Sequence, residues 1–252
     1  MMKINQLNVY VFPNRLDMGR AAAAAFSVAL RQLLEKQEKV RTIFAAAPSQ
    51  NEFLAALGQE KNLDWQRVEA FHMDEYIGLP KEHPAGFGYF LRERLFNLLP
   101  FGRVEYIDIT ATDPHAECGR YASLLAEGPI DLAALGIGEN GHIAFNDPPV
   151  ADFNDPAAVK VVQLEEACRQ QQVNDGCFQV LSAVPEFAVT LTIPTLMQAG
   201  QMVCIVPGPR KAAAVKAALE DPIGVHCPAT ILRTHGNAGL YLDQDAANNL
   251  LR

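Results

Sequence analysis

The chain has 252 residues, 49% hydrophobic and 20% charged, with 17 Gly and 16 Pro, a composition that excludes collagen-like, disordered and coiled-coil classes. The formal net charge of -8 argues against a nucleic-acid partner, because neutralising phosphates needs clustered Lys and Arg and the chain has no basic run. Five cysteines, Cys118, Cys168, Cys177, Cys204 and Cys227, are odd in number and form no CxxC pair, so they read as reduced packing residues rather than a disulfide or metal set.

The opening residues MMKINQLNVYVF carry one positive charge, and Asn5, Gln6 and Asn8 interrupt the apolar stretch. They fit neither a secretion signal nor a membrane span, so the expectation is a cytoplasmic protein with no membrane partner. Strand-like runs follow at 7–12, 40–47, 67–73, 103–109, 130–138, 159–164, 188–193, 201–208 and 238–243. Several are continuously apolar, which suits strands buried on both faces. After the first run, Phe26, Ala29, Leu30, Leu33 and Leu34 form the stripe of an amphipathic helix that includes Ala21 to Ala25. Further helices are expected over 50–58, 87–98, 114–126, 194–199 and 210–219, with no linker or repeat between them. The predicted fold is α/β: one domain over 1–252, a doubly wound, mostly parallel sheet of modified Rossmann-like type with helices on both faces. Such sheets bind ligands beyond the carboxyl ends of their strands, which is where chemistry is sought.

In FHMDEYIGLPKEHP (71–84), a buried run ends in two acids. Burial would raise a carboxylate's pKa and suit Asp74 to accept a proton, whereas the structural alternative is that Asp74 and Glu75 terminate a strand before a turn. His72 and Asp74 share a face of an extended chain, but two ligands do not make a metal site. In LGIGENGHIAFNDPP (135–149), Gly136, Gly138 and Gly141 satisfy G-x-G-x-x-G literally. A dinucleotide site needs a helix to start there, and Pro148 and Pro149 arrive too soon, so NAD is a minor alternative. What remains is a turn placing His142 near Asn140 and Asp147; it is either a proton-transfer group or a satisfied loop histidine. Ser49 and Glu52 form an S-x-x-E capping box after one strand, and Gly208, Pro209 and Lys211 open a helix after another. Each is either an ordinary capped helix or half of a small-anion site.

Together FHMDEYIGLPKEHP, LGIGENGHIAFNDP, LTIPTLMQAG, VPGPRKAAAVKAALE and CPATILRTH, in order over nearly the whole chain, resemble the glucosamine-6-phosphate deaminase (isomerase) family, within a superfamily that includes 6-phosphogluconolactonases and sugar-phosphate sensor domains. The resemblance implies aldose–ketose isomerisation of a phosphorylated aminosugar with release of ammonia. It implies Asp74 as the base, Glu75 as its acidic neighbour, His142 supported by Asp147 and Asn140 in ring opening, and Ser49, Gln50, Gly138, Asn174 and Lys211 as substrate and phosphate positions. A placed base and stabilisation of developing charge suffice for such chemistry, so no metal or organic cofactor is expected. The partner would be a small phosphosugar, and a homo-oligomer is a possible assembly because the family spans monomers to hexamers.

Four departures from the family pattern stand out. Asn140 replaces an aspartate, and Asp147 replaces a glutamate one methylene longer. Ala45-Ala46-Ala47 replaces the glycine-rich phosphate loop, and a family arginine falls at Asn174, with Arg169 five residues earlier. Of the basic residues of regulated members only Lys160 is retained in 148–162, so no amino-sugar activation is expected. The alternatives are a lactonase, against which MDEY argues, and a non-catalytic sugar-phosphate binder, whose usual DNA-binding module finds no room before a strand at residue 7.

Overall fold

The computed structural model describes residues 1–250. Along the chain lie β1 (Met2–Ile4), β2 (Leu7–Phe12), α1 (Arg15–Leu34), β3 (Val40–Phe44), α2 (Asn51–Leu57), β4 (Val68–His72), β5 (Asp74–Tyr76), α3 (Phe87–Leu91), β6 (Arg103–Glu105) and α4 (Pro114–Leu125). These are followed by β7 (Leu132–Leu135), β8 (Val159–Gln163), α5 (Glu166–Asn174), β9 (Phe187–Leu191), α6 (Ile193–Met197), β10 (Gln201–Val206), α7 (Ala212–Glu220) and β11 (Ala238–Asp243). Eight strands form one sheet in the order β1-β2-β11-β10-β7-β3-β4-β6, parallel except for the antiparallel β1 edge. The doubly wound α/β fold is therefore as expected.

Alternation within the strands divides the core. Phe44 of β3 and Ala70 of β4 pack with Phe26 of α1 and Phe53 of α2, while Ile43 and Phe71 pack on the other face with Tyr121 of α4 and Val215 of α7. Both faces are thus covered by helices, which is why the strand sequences are continuously apolar. Among the described residues no helix is long and apolar enough to cross a membrane.

Two of the expected strands do not join this sheet. β8 and β9 pair with β5 in a separate three-stranded antiparallel sheet of order β5-β9-β8. Only Met73 separates β4 from β5, so the second sheet starts at the carboxyl edge of the first. β8 is buried only at some positions, as suits a strand with one wet face. The sequence reading also missed α5, whose inward positions Cys168, Gln171 and Gln172 are mostly polar and leave no apolar stripe to detect.

Winding reverses between β3 and β7. The chain proceeds from β3 to β4 and β6 on one side and from β7 to β10 and β11 on the other, so a crevice opens beyond the carboxyl ends of β3 and β7. Behind the sheet, the buried Arg41 of β3 donates to the carbonyls of Leu124 at 2.5 Å and Leu125 at 2.9 Å and to that of Gly128, capping the end of α4, and lies 3.4 Å from the Glu69 carboxylate. Arg41→Met should destabilise the protein by about 3 kcal/mol, because it strips a buried carboxylate of one partner and a helix of its cap. The expected signature is a lower urea midpoint with an unchanged m value.

Candidate active site

β4 ends in His72, whose imidazole is fully buried. Its Nδ1 lies 2.9 Å from the Asp74 carbonyl, and Nε2 accepts from the Ile107 amide at 2.9 Å, so the partners require the neutral Nδ1–H tautomer. Burial pushes this imidazole down to about 4, although its hydrogen bond to Asp74 favours the charged form. Both nitrogens are occupied by main chain, so His72 sets the step from β4 to β5 and is not a ligand.

That step delivers Asp74 into the crevice. Its carboxyl is 6% exposed, and among the described residues it has no hydrogen-bond partner. Burial raises its pKa well above the ordinary range, and the neighbouring Glu75 adds repulsion in the same direction. Glu75 faces away: its Oε1 accepts from the amides of Tyr76 at 2.9 Å and Phe87 at 3.0 Å, and its Oε2 from that of Gly88 at 2.7 Å. Glu75 therefore holds the start of α3 and acts on Asp74 through charge alone. Burial pushes the Glu75 carboxyl up as well, against these three amides.

After β7 the chain makes the glycine turn. No helix opens there; the Gly138 amide donates to the His142 carbonyl at 3.0 Å, and Gly141 takes φ 85 with its Cα facing Cys227. Gly138 was expected to touch substrate. It lines the crevice, but a Cβ there would stand 2.3 Å from the His142 ring, so the glycine makes room for the imidazole. Ala144, at φ 50, and Asn146, donating to the Ile143 and Leu191 carbonyls at 2.9 Å each, pin this turn to β9.

His142 Nδ1 lies 2.8 Å from Asp147 Oδ1, leaving Nε2 for proton transfer. The shorter carboxylate still reaches the ring directly. Burial works to raise the Asp147 pKa, but His142, Asn140 and the Glu165 amide outweigh it and hold the carboxyl below its ordinary range. Asn140 does not touch the ring; its Oδ1 accepts from the His142 amide at 3.1 Å and its Nδ2 donates to Asp147 at 2.9 Å. Cys168 offers a third atom within 4.8 Å of His142 and Asp147. Burial raises its thiol pKa well above the usual value, and the other two groups are already bonded to each other, so the trio suits a hydrogen-bonded pair better than a cation.

The anion side is built from β3 and β10. The expected capping box does not form: Glu52 makes a bidentate pair with Arg15 at 3.0 Å from both oxygens, and Pro48 begins a 3-10 turn ahead of α2. Ser49 lines the crevice and accepts from Gln50 Nε2 at 3.2 Å, while Gln50 also donates to the Ile205 carbonyl at 3.2 Å, tying the turn to β10. Gly208, at φ 93, donates its amide to both Asp243 oxygens at 2.9 and 3.0 Å. Three residues later the Lys211 ammonium reaches the crevice and, among the described residues, has no hydrogen-bonded partner. Burial lowers its pKa, opposed by Asp175 and Glu139.

Asn174 is not part of this group. It is exposed, donates to Glu139 Oε2 at 3.3 Å and accepts from Gln170 at 3.2 Å. Arg169 also turns elsewhere, to the carbonyls of Leu181 at 3.1 Å and Val184 at 2.9 Å. One turn of α5 earlier, Gln171 and Gln172 line the crevice instead, and Gln171 accepts from the Glu139 amide at 2.7 Å. Gln171 and Gln172, at i+3 and i+4 from Cys168, were the signal available in the sequence. Lys160 is tied into its own segment by Asp155 at 2.8 Å and the Val150 carbonyl at 2.7 Å.

Asp74, His142, Ser49, Gln50 and Lys211 thus border one crevice. A family model described as glucosamine-6-phosphate isomerases/6-phosphogluconolactonase matches residues 13–240. The chain belongs to that family. Among glucosamine-6-phosphate deaminases, one of Bacillus cereus (strain B4264) is 41% identical over 188 residues, 75% of this chain and 70% of the relative. One of Bacillus thuringiensis (strain Al Hakam) is 40% identical over the same length and shares of the two chains. The solved structure of a monomeric glucosamine-6-phosphate deaminase superposes with a TM-score of 0.88 at 27% identity, covering 96% of this chain and 99% of that one. The 6-phosphogluconolactonase of Thermotoga maritima shares the fold, with a TM-score of 0.77 at 20% identity over 94% of this chain and 99% of the other.

Two outcomes test the geometry of this family member. Nitrogen NMR should find His72 as the neutral Nδ1–H tautomer at pH 7, without protonation until the pH nears 4. Gly138→Ala should displace the imidazole and lower turnover about 100-fold with the fold retained by circular dichroism, since displacements of an ångström carry such costs.

Proposed function

We propose that this protein converts glucosamine 6-phosphate, or an epimer of it, into a ketose 6-phosphate and ammonia. The observation that carries this reading is the Asp74 carboxyl, buried, raised in pKa and unpartnered in the crevice that His142 also borders. His142, oriented by Asp147, transfers the proton that opens the pyranose ring. Asp74 takes the C2 proton of the open aldose and returns it to C1, while one proton passes from the C2 ammonium to O1, which becomes the C1 hydroxyl. The resulting C2 iminium adds water and loses ammonia, leaving the ketone. Lys211 and Ser49 face the 6-phosphate, and Gln172 adds a neutral polar contact, whereas Asn174, where the family arginine falls, lies outside the crevice. Among the described residues Lys211 is the cation that borders the crevice.

A lactonase opens an ester and has no carbon acid to deprotonate, and a passive sugar-phosphate binder moves no proton. The groups named run from Ser49 to Lys211 along the chain and meet in one crevice, which supports a single domain as the working unit.

Ammonia release from glucosamine 6-phosphate should be measurable in purified protein. Asp74→Asn should lower kcat by about 10³ with KM within a few-fold, because an amide cannot accept the proton. The base works only when ionised, and its pKa is raised, so kcat/KM should fall as the pH drops through values well above the ordinary aspartate range. Hydrolysis of 6-phosphogluconolactone without ammonia release, or thermal stabilisation by the sugar phosphate without product, would replace this reading by a lactonase or a binder.

A further inference from the structure

The Asn140 amide is bonded at every functional atom. Its Oδ1 accepts from the His142 main chain at 3.1 Å, and its Nδ2 divides two protons between two carboxylates, Asp147 Oδ1 at 2.9 Å and Glu165 Oε2 at 2.7 Å. The Glu165 main-chain amide also donates to Asp147 Oδ2, at 3.3 Å. Asp147 is thereby held at Oδ1 by Asn140 and at Oδ2 by the main chain that opens α5, and its Oδ1 also meets the Nδ1 of His142 at 2.8 Å. No group that uses Glu165 in this way was apparent in the sequence, because 25 residues separate it from Asn140.

We propose that Glu165 is a positioning residue for the His142–Asp147 pair, acting through Asn140. An amide nitrogen with two protons is the neutral group that can stand between two carboxylates and satisfy both. An aspartate at position 140 would have no proton to give and would put three carboxylates side by side, each desolvated with like charge as neighbour. Asn140 and Glu165 therefore belong together: the negative charge that residue 140 would carry in the family pattern is held instead by Glu165, one hydrogen bond further from the ring. Two protons on one nitrogen compete, so the full charge of Glu165 draws on Nδ2, weakens its bond to Asp147 and leaves Asp147 Oδ1 the stronger acceptor for His142 Nδ1–H. Glu165 is half-buried and next to the crevice rather than in it, so it acts on the orientation and polarity of the dyad and not on substrate directly.

The inference rests on the proposed deaminase reading for its kinetic consequence and on geometry alone for its spectroscopic one. Glu165→Gln should lower kcat roughly tenfold with KM within twofold, a loss typical of a group that holds a catalytic side chain in place. Glu165→Asp, which keeps the charge, should recover most of it. Asn140→Asp should be damaging alone and less so combined with Glu165→Gln, since the exchange restores two carboxylates and one amide. Independently of turnover, the downfield proton resonance of His142 Nδ1–H should move upfield in Glu165→Gln and stay in place in Glu165→Asp. If the parent releases no ammonia but the resonance moves as stated, the functional reading fails and the relay stands. If ammonia is released and Glu165→Gln alters neither kcat nor the resonance, or if Asn140→Asp alone matches the parent, the relay is wrong.

Discussion

A carboxyl kept dry and without a partner is costly to a fold, and the structure around Asp74 is organised to hold one. β4 runs in the core of the parallel sheet until His72, leaves it through Met73 alone, and continues as β5 in a second sheet. That change of sheet turns Asp74 into the crevice and Glu75 behind it, because successive side chains of an extended chain point to opposite faces. His72 sets the corner by bonding the Asp74 carbonyl and the Ile107 amide, and Glu75 fastens the other side to three amides at the start of α3. With neighbours satisfied in this way, Asp74 is left to burial and to the charge of Glu75, both of which favour its protonated form. The same features make it a strong base once ionised.

Around that constraint the site divides its labour by sheet. The large sheet supplies the crevice at its winding reversal, the turn carrying Ser49 after β3, the glycine turn after β7 and the segment with Lys211 after β10. The small sheet closes it: Phe145 donates its amide to Thr190 Oγ1 of β9 at 3.1 Å, and Asn146 donates to the carbonyl of Leu191. His142 is thus held between the two sheets, with Gly138 beneath its ring and Asp147 behind it.

Departures from the family pattern became intelligible only in three dimensions. Asp147 is one methylene shorter than the residue expected there and still meets the imidazole directly, because Asn140 and the Glu165 amide hold it in position. Asn174, aligned by counting residues, falls on the outer face of α5, while Gln171 and Gln172 occupy the inner one. A helix turns by about 100° per residue, so Asn174, two residues beyond Gln172, stands on nearly the opposite face and is exposed. Likewise Ser49 and Glu52 had the spacing of a capping box, but Arg15 on α1 offers Glu52 two charged hydrogen bonds, a stronger partner than a main-chain amide.

What the sequence by itself determined was whatever local pattern or a contiguous motif can encode. Continuous apolar runs separated by amphipathic stretches made a doubly wound parallel sheet the expected fold, and the MDEY and GHIAFN segments marked Asp74 and His142. Only the tertiary structure decided that 159–163 and 187–191 pair with 74–76 in a second sheet, that Glu75 faces away from the crevice, and that Glu165 joins Asn140 and Asp147. Strand partners and carboxylate neighbours are set by contacts between residues tens of positions apart, and neither hydrophobic period nor motif spacing carries that information.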